Sequence, residues 1–253
     1  MRPNPSSRWL LFVAAIVPWL SSPADAQVAV AFGTTWDGPG ESLQAIVDAH
    51  YGPGNIQVTT DYIGADATDP QTIIWNGDGF RSYLIEEIAG YANENLLGWT
   101  IDDGSQPIID GVNDGIVFTG PTGPGHTTLV NIGDGMRNFG FYMNPRGPRD
   151  SRNAPEPELF FTNRHYNDLG PDGTVALHAP FDGDVQALVF DISAFTSPRT
   201  WLVCFEDFDS GAMPGPCCET TDNDFNDLVF QVTVDGVLPV QAATFGRIKA
   251  LYR

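Results

Sequence analysis

Three aspartates and two asparagines stand at positions 222 to 227 in TTDNDFNDLVFQV, which passes at once into an apolar, β-branched run. Asp222, Asp224 and Asn226 alternate, and Asp227 adjoins them, so short oxygen-bearing side chains recur at the spacing used by loops that bind hard divalent cations. Calcium takes roughly six to eight such oxygens, backbone carbonyls included. The stretch is not an EF-hand, because the glycine and the terminal glutamate of that loop are replaced here by Asp227 and Thr233. Further ligands must come from elsewhere. The nearest source is CFEDFDS (204–210), where Glu206, Asp207 and Asp209 follow an apolar strand pattern. If the two apolar strands pair around the intervening loop, both acidic groups meet at one sheet end. The expected ligands of a Ca2+ site are then Glu206, Asp207, Asp222, Asp224, Asn226 and Asp227. A bound cation offsets the repulsion of carboxylates crowded in this way. The alternative is that these residues only form Asx turns where a strand begins.

The elements that must position them read mostly as short strands. VAVAF (28–32), IQVTTDYI (56–63), TIIW (72–75), GIVFT (115–119), TLVNI (128–132), NFGFYM (138–143), ELFFT (158–162), TVALHA (174–179), QALVFDI (186–192), TWLVCF (200–205) and LVFQVTV (228–234) are rich in β-branched and aromatic residues. Gly, Pro, Asn and Asp separate them, and this predicts an all-β sandwich or jelly roll. One helix near the N-terminus interrupts the pattern: ESLQAIVDAHYGPG (41–54) places Leu43, Ile46, Val47 and His50 on one face and ends at Gly52 and Pro53. YLIEEIAGY (83–91) fits either a helical stripe or a strand.

Residues 1–26 read as an export signal, with Arg2 and Arg8 in a short basic region, the apolar run LLFVAAIVPWL, and Ala24 and Ala26 at the cleavage positions. The run falls short of the roughly 20 residues that span a bilayer, so no membrane span is expected. The rest divides into a single β-sandwich domain (27–238) and a basic amphipathic tail (239–253) carrying Arg247, Lys249 and Arg253. That tail reads either as a final element docked on the domain or as a sorting signal. A net charge of −20 argues against nucleic acid, whose binding needs cationic side chains to displace counterions. In an exported chain Cys204, Cys217 and Cys218 predict a disulfide, with Cys204 joined to Cys217 or Cys218 and one thiol left over. A vicinal Cys217–Cys218 bridge is the strained alternative.

Catalytic spacing is missing: there is no HExxH, GxSxG or P-loop, and His50, His126, His165 and His178 are scattered. Glu86 with Glu87, and Glu156 with Glu158, could be imagined as glycosidase pairs, but such carboxylates in polar stretches are ordinarily solvated. The chain is therefore expected to be a non-catalytic calcium-binding module of the cell surface or extracellular matrix. Its partner would be a surface glycan or protein. A carbohydrate-binding module, with Trp36, Trp75, Trp99 and Trp201 as candidate exposed rings, is the second reading, and a hydrolase the third.

FGFYM (139–143), ELFFTNRHYNDLGPDGTVALHA (158–179), QALVFDI (186–192), WLVCFEDFDS (201–210) and TDNDFNDLVFQV (221–232) together resemble the domain-of-unknown-function 4114 family of secreted bacterial proteins. The family's hallmark is an F/W-E-D block followed by D-x-D-[YF]-N-D-[LV]-V-F. It matches here at Phe205, Glu206, Asp207, Asp222, Asp224, Phe225, Asn226, Asp227, Leu228, Val229 and Phe230. SLQAIVD through GYANENLLGWTI is similar to the family's N-terminal half more weakly. The resemblance implies an all-β exported domain with a calcium site, makes YLIEEIAGY a strand, and brings no established enzymatic activity. GAMPGPCCETT (211–221) is longer than the short Gly-rich loop usual between the two acidic blocks.

Overall fold

The computed structural model describes residues 32–33, 38–65, 73–89, 92–133, 135–145, 159–167, 185–207 and 223–235. One helix, α1 (Leu43–Tyr51), is followed by ten strands: β1 (Trp75–Gly77), β2 (Gly79–Glu86), β3 (Leu96–Ile101), β4 (Asp114–Thr119), β5 (Thr127–Asn131), β6 (Arg137–Asn144), β7 (Phe160–Phe161), β8 (Ala187–Asp191), β9 (Thr200–Phe205) and β10 (Leu228–Asp235). The strands form two antiparallel five-stranded sheets. In the first the order is β1-β6-β3-β4, with β7 also on β6, and in the second it is β5-β2-β10-β9-β8. The expected all-β sandwich with one short helix is what forms. No helix among the described residues is long and apolar enough to cross a membrane.

Period-two alternation builds two cores from the second sheet. On β9, Trp201, Val203 and Phe205 enter the core between the sheets beside Phe80, Phe139, Phe141 and Phe230. Leu202 and Cys204 point the other way, into a second core beneath α1 with Leu43, Ile46, Val47 and Val229. Both faces of β9 are thus covered, and all six of its residues are buried. That is why TWLVCF is continuously apolar where a half-solvated strand would alternate. Helix α1 starts at Ser42, whose hydroxyl accepts the Ala45 N–H, and stops at Gly52, which takes φ 93°.

The expected strands differ from those formed at several places, and ELFFT contributes only Phe160 and Phe161. Residues 56–63 form turns, not a strand: the Asp61 carboxylate accepts the Gln57 N–H at 2.8 Å, and Gln57 O accepts the N–H groups of Thr60 and Asp61. Gln44 on α1 supplies the missing pairing, its side-chain amide nitrogen Nε2 donating to Ile56 O at 2.9 Å and its Oε1 accepting the Val58 N–H at 3.1 Å. One side-chain amide therefore stands where a neighbouring strand would. LLGWTI, not anticipated as a strand, is β3, central in the first sheet; a Cβ at Gly98 would collide with the Tyr142 ring. YLIEEIAGY is strand through Glu86, as the last part of β2, and TIIW contributes only Trp75 to β1. VAVAF apart from Phe32, TVALHA, the export signal and the basic tail lie outside the described residues.

Candidate metal centre

Strand order brings three chain segments to one end of the second sheet. Leu228 pairs with Phe205, so Glu206 and Asp207, just past β9, lie across from Asp227, just before β10. On the other side Val229 pairs with Glu86, and the Ile88 N–H donates to Asp227 O at 3.2 Å. Glu87 is delivered to the same end. Carboxylate oxygens of Glu206, Asp207 and Asp227 all lie within 4.8 Å of one another, and all three residues are buried.

Backbone donors fix the carboxylates. The Asp207 N–H donates to Asp227 Oδ2 at 2.7 Å, and the Phe225 N–H donates to Glu206 Oε2 at 3.3 Å. Glu206 is itself tied to the edge strand by its N–H, which donates to Gln186 O at 3.1 Å. Asn223 and Phe225 take φ 51° and 57°, the left-handed region that costs a side chain roughly 1–2 kcal/mol. This geometry turns the fully buried Phe225 ring into the helix-side core against Phe32, at 6.0 Å between centroids, while its acidic neighbours stay with Glu206.

Asp224 joins the cluster electrostatically: its charge is among those that raise Asp227. Its carboxylate accepts both the Asn226 N–H at 3.2 Å and Asn226 Nδ2 at 2.8 Å. The same Nδ2 donates to Glu41 O at 2.8 Å, so Asn226 links the acidic loop to the start of α1. Of the six expected ligands, the structure gathers Glu206, Asp207 and Asp227 within one cluster, while Asp224 stands beside it with its carboxylate held by Asn226. Asp222 lies outside the described residues, as do Asp209, Glu156, Glu158 and His178.

Burial holds the Asp227 carboxyl well above the usual carboxylate range, and the charges of Glu206 and Asp207 push it further. Glu87 is raised to about 8, first by burial and then by Asp207. Its Oε1 is sealed from solvent and has no hydrogen-bond partner among the described residues. The expectation of a merely solvated Glu86–Glu87 pair fails for Glu87. Its signal in the sequence was its place right after a strand that turns out to neighbour β10. Asn95, from the turn before β3, is also buried and reaches Asp207 Oδ2 at a long 3.5 Å. A carboxylate-rich pocket of this kind suits a hard cation, whose charge would offset the burial and the mutual repulsion that raise Asp227 and Glu87.

The other candidates separate from this centre. Cys204 is a free, fully buried thiol in the helix-side core, and Cys217 and Cys218, the partners expected for it, lie outside the described residues. Trp75, Trp99 and Trp201 are buried in the inter-sheet core and offer no exposed ring, and Trp36 is not described. Among the histidines, His50 contacts Tyr51 and Tyr83, and His126 contacts Phe118.

Comparison with protein-family models, curated proteins and solved structures finds no match to this chain. The resemblance to the domain-of-unknown-function 4114 family rests on the quoted residues alone.

Proposed function

We propose that this chain is an exported, non-catalytic β-sandwich module of the cell surface or extracellular matrix, built around a calcium ion. The observation that carries this reading is the convergence of Glu206, Asp207 and Asp227, from two strand ends, with buried carboxylate oxygens within 4.8 Å of one another. Side chains that distant in sequence are not needed together for Asx turns, each of which is a local device. The oxygen-only donor set favours calcium over zinc, which prefers nitrogen and sulfur ligands. Asp224 and Glu87 supply further carboxylates at the rim, and Asp222 is assigned to the same loop. The cation's part is to hold the β9 and β10 ends together and, through Asn226 and Glu41, to seat helix α1 on the second sheet.

Isothermal titration of chelator-stripped protein with Ca2+ tests this. One high-affinity site per chain, lost in Asp227→Asn, is expected. The absence of binding heat, together with an unchanged melting temperature, would leave the carboxylates as structural turn residues.

A further inference from the structure

Phe32 and Gly33 form a short arm that reaches the acidic loop from the opposite end of the chain. The Gly33 N–H donates to Asn223 O at 3.1 Å. The Phe32 ring meets Phe225 at 6.0 Å between centroids and Tyr62 at 6.1 Å, both edge-on at 62° and 61°, a favoured arrangement for aromatic pairs. Phe32 itself is half-buried, while Phe225 and Tyr62 are buried in the helix-side core. Beside Tyr62, the Ile63 N–H donates to Val189 O on β8 at 2.7 Å, so the second ring against which Phe32 leans is fixed to the second sheet.

The contacts of the arm bracket Asp224. Before it the arm holds the backbone of Asn223, and after it the ring of Phe225. Both of those neighbours stand in the left-handed region, at φ 51° and 57°, which residues with a side chain keep only where the surroundings hold them there. The bonds made within the loop, from the Asn226 N–H and Nδ2 to the Asp224 carboxylate, begin after Asn223 and do not fix it. Phe225 also carries the N–H that Glu206 Oε2 accepts at 3.3 Å. One line of contacts therefore runs from the arm, through a buried ring, to a carboxylate of the metal centre.

We propose that Phe32 and Gly33 are positioning residues of the cation centre: the arm clamps the loop on both sides of Asp224 and holds Glu206 in place through Phe225, so that arm docking and cation binding reinforce one another. This rests on the reading of the carboxylates as a calcium centre and adds to it an element that supplies no ligand. Linkage makes the effect reciprocal. If the docked arm raises calcium affinity by some factor, bound calcium favours the docked arm by the same factor. A ring that only fills the edge of the core would instead stabilise the protein equally with and without the cation. Selectivity follows the same logic, because discrimination between calcium and magnesium depends on the size and rigidity of the cage, and a loosened loop discriminates less.

Calorimetric titration of the chelator-stripped exported protein with calcium and with magnesium tests the proposal. Phe32→Ala should weaken calcium binding about three- to tenfold and lower the ratio of calcium to magnesium affinity. Phe32→Leu, which keeps most of the apolar volume, should restore most of the loss. Gly33→Pro, which removes the donor to Asn223 and keeps the ring, should weaken binding in the same direction, and Ile116→Ser on the first sheet should bind as the wild type does. Circular dichroism establishes that each variant is folded. Hydrogen exchange gives a second measurement on the unaltered protein: the Gly33 amide should exchange more slowly in calcium than in chelator. Calcium affinity unchanged in both Phe32→Ala and Gly33→Pro, with melting temperatures lowered equally in calcium and in chelator, overturns the proposal and leaves the calcium centre standing. Exchange at Gly33 that ignores calcium also overturns it. A wild type that takes up no calcium overturns this inference together with the reading on which it rests, and the wild-type titration alone tells that failure from the others.

Discussion

The Phe225 N–H donates to Glu206 Oε2 at 3.3 Å while the Phe225 ring, fully buried at φ 57°, plugs the core beneath α1. One residue thus joins the carboxylate centre to the helix-side core. Phe225→Ala should cost about 3–5 kcal/mol, the usual range for emptying a buried aromatic site. It should also weaken calcium binding, because the donor that orients Glu206 moves with the ring. Urea denaturation with and without calcium measures both effects; a near-neutral variant would show that the loop is seated by its polar contacts alone.

Calcium bound only to the folded state should raise stability by RT ln(1 + [L]/Kd), about 2.7 kcal/mol at one hundred times Kd. The melting temperature of chelator-stripped protein should rise by several degrees on adding calcium and by less on adding magnesium, which keeps its waters and demands tighter octahedral geometry. Asp224→Ala should abolish the response. Asp227→Asn should stabilise the metal-free protein, because it removes a carboxylate held among others in a buried site.

Metal-free protein should lose stability as pH rises from about 4.5 to about 8. Glu87, raised from its ordinary 4.5 to about 8, and Asp227, raised well above its ordinary value, keep their protons in the folded state through pH values at which the unfolded chain has released them. Where the folded state binds more protons, added base favours unfolding. Glu87→Gln should flatten the decline. Calcium should reverse it, because cation and protons compete for the same oxygens. Thermal melts across this range, in chelator and in calcium, read out all three expectations.

Cys204 should resist alkylation until the protein unfolds, since its thiol is sealed between the second sheet and α1 and burial alone raises it well above its ordinary range. If the exported protein carries a disulfide, peptide mapping should place it between Cys217 and Cys218. A bridged Cys204 would require the core under α1 to be rearranged. Maleimide labelling in native buffer, with and without calcium, gives the direct measurement; faster labelling in chelator would show that the cation seats the helix.

Patterns confined to neighbouring residues were legible in the sequence. Helix α1, the full extent of β9, most of β10 and the crowding of Asp224, Asn226 and Asp227 at its entry follow from periodicity, caps and turn residues, all local properties of the chain. The sandwich architecture followed from the number and spacing of those strands. What depended on strand order did not. Residues 56–63 have strand-forming side chains, yet they turn because Gln44 from α1 satisfies their backbone, a contact that only the packed helix can make. Glu87 looked like half of a solvated pair until β2 proved to lie next to β10, and the place of Cys204 under α1 follows from the register of β9, which no local pattern shows. Trp75 and Trp201 were legible as core residues from the apolar strands that carry them, and Trp99 joins them between the two sheets because β3 pairs centrally in the first. Sequence determines which residues alternate and where the chain turns; which face meets a neighbour is set by pairings between distant strands, and those are decided by the joint burial of the whole core.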